Sequence, residues 1–266
     1  MNKPQQKQYE ILCELDRICK KNNMNYYLDA GTLLGAVRHH GFIPWDDDID
    51  VGMLRKDYNK FVEIVEKELN DKYFFQDYKT DEYFGGVYGK IRIKNTKYIE
   101  KVCKNIKAKD GIFIDIFPFD NISANEKQSK KDFLKVVTLR VMLLLKNNYI
   151  VETNTFTKKI EKLALKFLSL FISKKSIIKK INKITNKYND QDTEYIANFS
   201  TTYFNKTRYK KEWFMDTVLL NFEEGKFLCP KNYDAYLKYL YNDYMQLPPE
   251  DKRINHSVVE IKYEDE

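Results

Sequence analysis

The sequence predicts an α+β protein, in which a small mixed β-sheet is flanked by helices and carries an inserted, mainly helical region. Helix-like and strand-like segments alternate up to residue 123. No glycine or proline occurs from 119 to 224, so little interrupts the helical pattern that follows. Short strand-like segments return after residue 190. We therefore expect a catalytic core (1–123), a lysine-rich helical insertion (124–190) and a C-terminal part (191–266) that completes the core and its site.

The composition is that of a folded protein in a reducing compartment. Of the 266 residues, 43% are hydrophobic, which is enough for a substantial core. The four cysteines lack the spacing of a zinc knuckle and are expected to be free thiols. The N-terminal segment does not resemble a signal peptide, and no stretch reaches the roughly 18 apolar residues of a membrane span. These features predict a cytoplasmic protein.

The first elements alternate between helix and strand. Apolar residues recur at helical spacing over 5–22, and 26–29 is strand-like. Gly-Thr then opens a short helix over 31–38. A strand at 49–53 and an amphipathic helix at 55–70 follow. This order predicts a sheet with helices packed over it.

The later segments predict three strands, two helices, further short strands and a last helix. Proline cannot donate to a ladder, so we expect Pro118 to end its strand. The predicted elements are strands at 73–78, 85–95 and 111–120, helices at 125–147 and 156–187, short strands after 190, and a last helix at 232–245.

The segment "PWDDDID" contains four carboxylates, Asp46, Asp47, Asp48 and Asp50. In a strand, residues two apart point to the same face, so Asp48 and Asp50 form a pair. Two carboxylates held close together share a proton or a cation. Ligand sets made only of oxygen favour Mg²⁺ or Mn²⁺. The segment therefore predicts a metal site.

A calcium-binding loop does not explain these acids, because Val51 stands where a glycine is required and Asp57 where a bidentate glutamate is required. A further acid, Asp115, lies in the strand-like "FIDIF". Its flanking isoleucines make an unpaired charge costly there. Asp115 is therefore the candidate third carboxylate of the same site.

Three blocks of the sequence resemble the LicD family, which belongs to the nucleotidyltransferase-fold superfamily and is similar to the fukutin-related proteins. They are "LDAGTLLGAVRHHGFIPWDDDIDVGM", "GIFIDIFPFD" and "NFEEGKFLCPKNYDAYLKYLYNDYMQLPP". The chain departs from the family pattern at Asn242, where a glycine is common, but asparagine tolerates positive φ. Residues 125–200 carry no recognised motif, so the acceptor stays open.

The resemblance implies Mg²⁺-dependent transfer of phosphocholine from CDP-choline to a hydroxyl of a glycan or glycolipid precursor of the teichoic acid, lipopolysaccharide or capsule type, with release of CMP. Transfer of another CDP-linked phospho-alcohol, such as phosphoethanolamine, glycerol phosphate or ribitol phosphate, is the alternative.

The same resemblance implies roles for individual residues. Asp48, Asp50 and Asp115 would be catalytic and would bind the metal, with Mn²⁺ able to replace Mg²⁺. We expect Asp47 to lie nearer the metal than Asp46. The Gly31-Thr32 turn would hold the donor phosphates. Arg38, Lys90 and Arg92 are candidate phosphate contacts, and an ordinary solvated strand face is the alternative for Lys90 and Arg92. His256 is a further candidate if the tail folds back.

Choline carries a quaternary ammonium, which proteins bind on aromatic faces. The candidate walls are Trp45, Tyr83, Phe84, Tyr88, Trp213, Tyr241 and Tyr244. The sequence does not select among them.

The positive charge is concentrated in residues 158–187, which contain ten lysines and a single acid, Glu161. Apolar residues share a face here, namely Leu163, Phe167, Leu170 and Phe171, and further on Ile177, Ile181 and Ile184. This pattern fits peripheral contact with the inner face of the cell membrane, and equally a core helix with a lysine-rich outer face.

Nucleic acid is not an expected partner, because the chain has no RNA-binding motif or helix-turn-helix and nucleic-acid binding would leave the acidic cluster unexplained. A degenerate transferase fold that only binds is disfavoured, because all three acids are present.

Overall fold

A seven-stranded mixed sheet lies at the centre of the structure. The computed structural model describes residues 1–153, 155–201, 206–253 and 258–264. The strands are β1 Tyr27–Leu28, β2 Asp50–Leu54, β3 Tyr73–Gln76, β4 Gly89–Ile93, β5 Lys97–Glu100, β6 Phe113–Ile122, β7 Tyr195–Asn198, β8 Arg208–Lys210, β9 Thr217–Phe222, β10 Gly225–Pro230 and β11 Val258–Lys262. The main sheet has the order β1-β2-β6-β4-β3, and β7 and β8 extend it from β6. The predicted α+β class is confirmed.

Helices cover this sheet and form the insertion. They are α1 Lys3–Lys21, α2 Ala30–His39, α3 Arg55–Glu68, α4 Glu126–Lys146, α5 Phe156–Leu170, α6 Lys174–Thr185 and α7 Tyr233–Tyr241. Asn2 and Gln5 form a reciprocal capping box that begins α1. In the described residues, no helix combines the length and the apolar character needed to cross a membrane.

Strand β6 is the centre of the sheet and runs through Pro118, so the expectation that this proline ends the strand was wrong. On one side, Asp115 to Phe119 of β6 pair in parallel with the whole of β2. On the other side β6 pairs with β4 up to Ile116 and with β7 from Phe119 onward. Pro118 lies where one partner strand replaces the other, so its missing N–H removes no bond from either ladder.

The insertion packs around its own hydrophobic cluster. We expected a helical stretch over 156–187, and the structure divides it into α5 and α6. Ser173 begins α6 by accepting a hydrogen bond from the N–H of Ser176. The buried faces of α4 and α6 meet at Val136, Ile177 and Ile181.

The C-terminal part packs into the same core as the N-terminal part. Tyr27, Phe119, Tyr209, Phe214 and Tyr236 form a chain of edge-to-face and tilted ring contacts, with centroids 4.9 to 6.0 Å apart. Two small antiparallel sheets, β9 with β10 and β5 with β11, complete the fold. Strand β5 was missed, and the strand predicted at 85–95 is limited to β4. We propose that the chain has three parts: a catalytic core (1–123), a lysine-rich helical insertion (124–190) and a C-terminal part (191–266) that completes the core.

Candidate active site

Three charged residues lie side by side on neighbouring strands. In the parallel ladder between β2 and β6, Asp50 is the partner of Asp115. In the antiparallel ladder between β6 and β4, Asp115 is the partner of Lys90. Residues directly opposite in a ladder lie on the same face of a sheet. The sheet therefore brings together two acids that are 65 positions apart in the chain, and adds a lysine beside them.

Lys90 and Asp115 form a buried ion pair, with Nζ 2.7 Å from Oδ1. The ammonium also lies 3.3 Å from the ring centroid of Phe113. Burial raises the pKa of Asp115 to about 6, although Lys90 acts in the opposite direction. Lys90 therefore provides the counter-charge that makes a carboxylate tolerable at this depth.

Asp50 stands at the start of β2, where negative charge accumulates. Its backbone N–H donates to Thr32 Oγ1 at 2.9 Å. Burial raises its pKa well above the usual range, and the charges of Asp48 and then Asp115 raise it further. Thr32, one of the predicted site residues, therefore holds the backbone of Asp50 at the centre of the acidic cluster.

Asp29 is a buried acid that was not among the predicted site residues. It is the N-cap of α2, and its Oδ1 accepts from the N–H of Ala30 at 2.8 Å. The hydroxyl of Tyr236, from α7, donates to the same oxygen. Burial raises the pKa of Asp29 to about 6, and its charge also acts on Asp50. This contact joins the C-terminal part to the acidic site.

The remaining acids lie in the loop that precedes β2. Oxygen atoms of Asp46, Asp47 and Asp48 come within 4.8 Å of one another, and among the described residues this is the group of three carboxylates close enough to hold a metal. Because β2 begins at Asp50, Asp48 lies in front of the strand and not within it. Of the loop acids, Asp48 has the larger effect on the pKa of Asp50, and Asp46 raises it as well.

Three side chains hold the backbone of this acidic loop. Gln5 Nε2 donates to the carbonyl of Asp46 at 3.0 Å, and Gln8 Nε2 donates to that of Asp47 at 2.7 Å. Tyr98 Oη also donates to the Asp47 carbonyl, at 2.9 Å. Gln5 and Gln8 are buried on α1, and their position on its apolar face was the signal that could have identified them.

The beginning of α2 fits closely against the loop. A Cβ atom added to Gly31 would lie 3.0 Å from Asp46 Oδ2, so glycine allows this carboxylate to approach the helix. Ala30 adopts a left-handed conformation, with φ of 42°. Such a backbone costs about 1 kcal/mol in a residue other than glycine. The predicted turn is thus the strained first turn of α2.

A cavity of about 470 Å³ opens beside the loop. Arg38 lies in its wall and donates through Nη1 to the carbonyl of Tyr244 at 2.7 Å. The lining residues are Gly31, Leu34, Arg38, Ile43, Trp45, Asp46, Tyr241, Asp243, Tyr244, Gln246, Leu247, Pro248 and Pro249. Three of the seven candidate aromatic walls, Trp45, Tyr241 and Tyr244, therefore meet at one cavity.

The other candidate aromatics lie elsewhere. Trp213 packs on Tyr239, and Tyr88 packs between Phe84 and Phe117. The remaining candidate, Tyr83, does not line the cavity.

Two predicted phosphate contacts do not meet at this cavity. Lys90 pairs with Asp115, as described. Arg92 is buried, and its guanidinium donates to Gln76 Oε1 at 2.5 Å and to the carbonyl of Gly111 at 2.6 Å. These bonds give Arg92 a structural role in this structure. His256 lies outside the described residues.

The residues of the site fit a hard divalent cation. Every candidate ligand is a carboxylate oxygen, which is the donor that Mg²⁺ and Mn²⁺ prefer. The mutual repulsion that raises the pKa of Asp50 is the kind of charge crowding that a cation relieves. Asp48, Asp50 and Asp115 remain our predicted ligands, and Asp46 and Asp47 are close enough to Asp48 to support them.

Comparisons with known proteins point in the same direction. The family described as LicD/FKTN/FKRP, nucleotidyltransferase domain, matches residues 23–142. The chain is 31% identical over 255 residues to the lipopolysaccharide cholinephosphotransferase LicD of Haemophilus influenzae, which covers 94% of this chain and 93% of that protein.

Two other relatives match over shorter segments. The chain is 44% identical over 57 residues to an uncharacterized protein of Rickettsia typhi, 21% of this chain and 18% of that one. It is 50% identical over 34 residues to the human ribitol 5-phosphate transferase FKRP, 13% of this chain and 7% of that protein. The match along nearly the whole length of the Haemophilus protein shows that this chain belongs to the LicD family.

Proposed function

We propose that this protein is a phosphotransferase that moves a phospho-alcohol group from a CDP-linked donor to a hydroxyl of a glycan. The observation that carries the proposal is the placement of Asp50, Asp115 and Lys90 on one face of the sheet, beside the acidic loop and the aromatic cavity. The name of the Haemophilus relative, a lipopolysaccharide cholinephosphotransferase, supports phosphocholine as the transferred group and a surface glycan as the acceptor.

The reaction would be a phosphoryl transfer with CMP as the leaving group. The acceptor oxygen bonds to the phosphorus of the phospho-alcohol, and the bond from that phosphorus to the bridging oxygen of the donor breaks. The proton of the hydroxyl passes to a carboxylate, and Asp115 is our candidate for this base or for a third metal ligand. When bound by Asp48 and Asp50, Mg²⁺ or Mn²⁺ would neutralise charge on the phosphate oxygens.

The cavity is our candidate site for the head group of the donor. Trp45, Tyr241 and Tyr244 offer aromatic faces, and Asp46 adds a negative charge. The guanidinium of Arg253 lies 5.0 Å from the ring centroid of Trp45, so this ring already holds a cation at its face. A quaternary ammonium can use the same attraction. Arg38, which also lines the cavity, is the candidate contact for a donor phosphate.

A CMP-release assay tests this function. We would incubate the protein with CDP-choline and a bacterial glycan acceptor, with Mg²⁺, with Mn²⁺ and with EDTA. Asp48→Asn, Asp50→Asn and Asp115→Asn are expected to lose turnover, while Asp71→Asn, in the exposed turn before β3, keeps it. Turnover in EDTA, or near-native rates in all three site variants, would refute the proposed metal site.

Ribitol phosphate is the second candidate group, because the short match to FKRP concerns a ribitol 5-phosphate transferase. Competition between CDP-choline, CDP-ethanolamine, CDP-glycerol and CDP-ribitol separates these donors. If phosphocholine is transferred, Tyr241→Leu raises KM for CDP-choline and leaves KM for CDP-ribitol nearly unchanged. Equal effects on both donors would argue against an ammonium site in the cavity.

A further inference from the structure

Helix α5 presents an apolar stripe to the surroundings, which we call the α5 stripe. Its residues recur at spacings of three and four, as on one side of a helix. Their exposed fractions are large for apolar side chains: Phe156 76%, Ile160 54%, Leu163 69%, Phe167 60%, Leu170 67% and Phe171 74%. The rings of Phe167 and Phe171 contact each other, with centroids 5.2 Å apart. A contiguous exposed surface of this kind indicates a binding partner.

The opposite side of α5 attaches it to the protein. Residues advance by about 100° around a helix, which places Leu165 and Ser169 across from Phe167. Ser169 is buried, and its carbonyl accepts from Lys146 Nζ at 2.8 Å. Leu165 packs on the cluster between α4 and α6. The helix is therefore anchored by one side, and the α5 stripe points away from the body.

Lysines border the α5 stripe and determine which partner fits. At 100° per residue, Lys159 and Lys166 lie next to the stripe, and both are exposed. Elsewhere in the insertion, α4 and α6 form a groove of about 820 Å³ that is lined by six lysines and no acid: Lys127, Lys130, Lys131, Lys135, Lys180 and Lys183. An apolar stripe edged with lysines complements a surface that has both hydrocarbon and negative charge.

We propose that α5 lies in the interface of an anionic lipid bilayer, with the α5 stripe among the acyl chains and Lys159 and Lys166 at the lipid phosphates. Nucleic acid would match the lysines but would leave the aliphatic stripe in water. A second copy of this chain would cover the stripe but would bring lysines against lysines. The membrane surface satisfies both features, and it does not depend on the proposed reaction.

Vesicle flotation with the full-length protein tests the proposal. We expect binding to phosphatidylcholine vesicles that contain phosphatidylglycerol at low salt, and weaker binding to pure phosphatidylcholine. Leu163→Ser with Phe167→Ser should weaken binding by about tenfold or more, because two large side chains no longer enter the bilayer. The control is Met215→Ser with Leu219→Ser, which alters side chains that are 60% and 50% exposed outside the insertion and should bind normally.

Charge reversal tests the lysines separately. Lys159→Glu with Lys166→Glu should weaken binding to anionic vesicles by about tenfold or more, since each lysine near such a surface contributes about 1 kcal/mol, or roughly fivefold. Lys56→Glu with Lys67→Glu, on exposed positions of α3, changes the net charge equally and should have a smaller effect. Equal losses in both pairs would mean that net charge, and not α5, governs binding.

Two further readouts complete the test. The side chains replaced in the four double variants are all exposed, so the thermal unfolding of each variant should match that of the unchanged protein. Phe167→Trp should shift its fluorescence to the blue on anionic vesicles. The proposal is overturned if the protein does not float, if the stripe variant floats normally, or if the protein instead forms a dimer that the stripe variant disperses.

Discussion

At the scale of single residues, the site combines buried and half-buried carboxylates whose negative charges repel one another. Asp50 is the clearest case, because burial, Asp48 and Asp115 all raise its pKa. Asp115 is held by Lys90, and Asp29 by Tyr236. A carboxylate whose ionised form is disfavoured by burial and by neighbouring charges lowers the free energy of unfolding at neutral pH. Such destabilising residues are common at functional sites.

We predict that Asp50→Asn separates activity from stability. Asparagine keeps the shape and removes the repelled charge, so the free energy of unfolding at pH 7 should stay equal or rise. Turnover should fall by about a hundredfold or more. Chemical denaturation and CMP release measure the two quantities, with Asp71→Asn as the control. A clear loss of stability would mean that Asp50 is favourably paired in the protein.

Gln8 is a positioning residue, because it holds the carbonyl of Asp47 and contacts neither donor nor acceptor in our proposal. Gln8→Ala should cost about 1 kcal/mol of stability, since the Asp47 carbonyl loses one of its two donors and keeps Tyr98. It should lower kcat about tenfold and change KM little. Gln6→Ala, exposed on the same helix, is the matched control. An unchanged kcat would leave Gln8 with a purely structural role.

The sequence identified most of the acids but not their supports. Strand periodicity and a resemblance pointed to Asp48, Asp50 and Asp115, and the ladder from β2 to β6 places Asp50 beside Asp115. Helical spacing places Gln8 on the apolar face of α1, but it does not show that its amide reaches the carbonyl of Asp47. The sequence likewise does not show that the hydroxyl of Tyr236 reaches Asp29.

At the scale of elements, α7 closes the site from the C-terminal side. Its Tyr236 donates to Asp29, and Arg38 of α2 donates to the carbonyl of Tyr244 just beyond α7. These contacts join α2 to the C-terminal part around the cavity. The tyrosine-rich block near the C-terminus therefore forms part of the wall of the candidate site.

Tyr236→Phe should destabilise the protein in a pH-dependent way. Burial raises the pKa of Asp29 from 3.8 to about 6. The folded protein therefore binds this proton more tightly than the unfolded chain, and its contribution to stability decreases as pH rises from about 4 to 6. Above that window the charged carboxylate needs the hydroxyl donor. The loss should be about 1.5–3 kcal/mol at pH 8 and smaller at pH 5.

Denaturation at both pH values, with Tyr233→Phe on the same helix as the control, measures this difference. An equal loss at pH 5 and pH 8 would contradict a role for the ionised Asp29.

Helices α5 and α6 show that one sequence pattern can have two outcomes. Both are amphipathic and rich in lysine. The apolar face of α6, with Ile177 and Ile181, is buried against α4, whereas the α5 stripe is exposed. The expected core helix thus describes α6, whereas contact with a membrane stays our proposal for α5. The helix period alone cannot distinguish them, because it shows a face and not what covers it.

At the scale of the whole molecule, donor and metal should stabilise the native state together, because the proposed site is made by residues from both ends of the chain. Mg²⁺ with CDP-choline at about 100 times its Kd should add about 2.7 kcal/mol. For a chain of this size this raises Tm by roughly 5–10 °C. Asp50→Asn should lose the part of the shift that needs Mg²⁺, and Asp71→Asn should keep it. A full shift in Asp50→Asn would place the metal elsewhere.

The sequence by itself determined the α+β class and the order of the main helices and strands, and it supplied the candidate acids Asp48, Asp50 and Asp115. It could do so because side-chain period, turn residues and charge spacing are local properties of the chain. The tertiary structure decided that Pro118 continues its strand, that Lys90 pairs with Asp115, that three aromatics meet at one cavity, and that α5 rather than α6 is exposed. These features depend on which strand or helix becomes a neighbour, and neighbours are decided by packing of the whole chain.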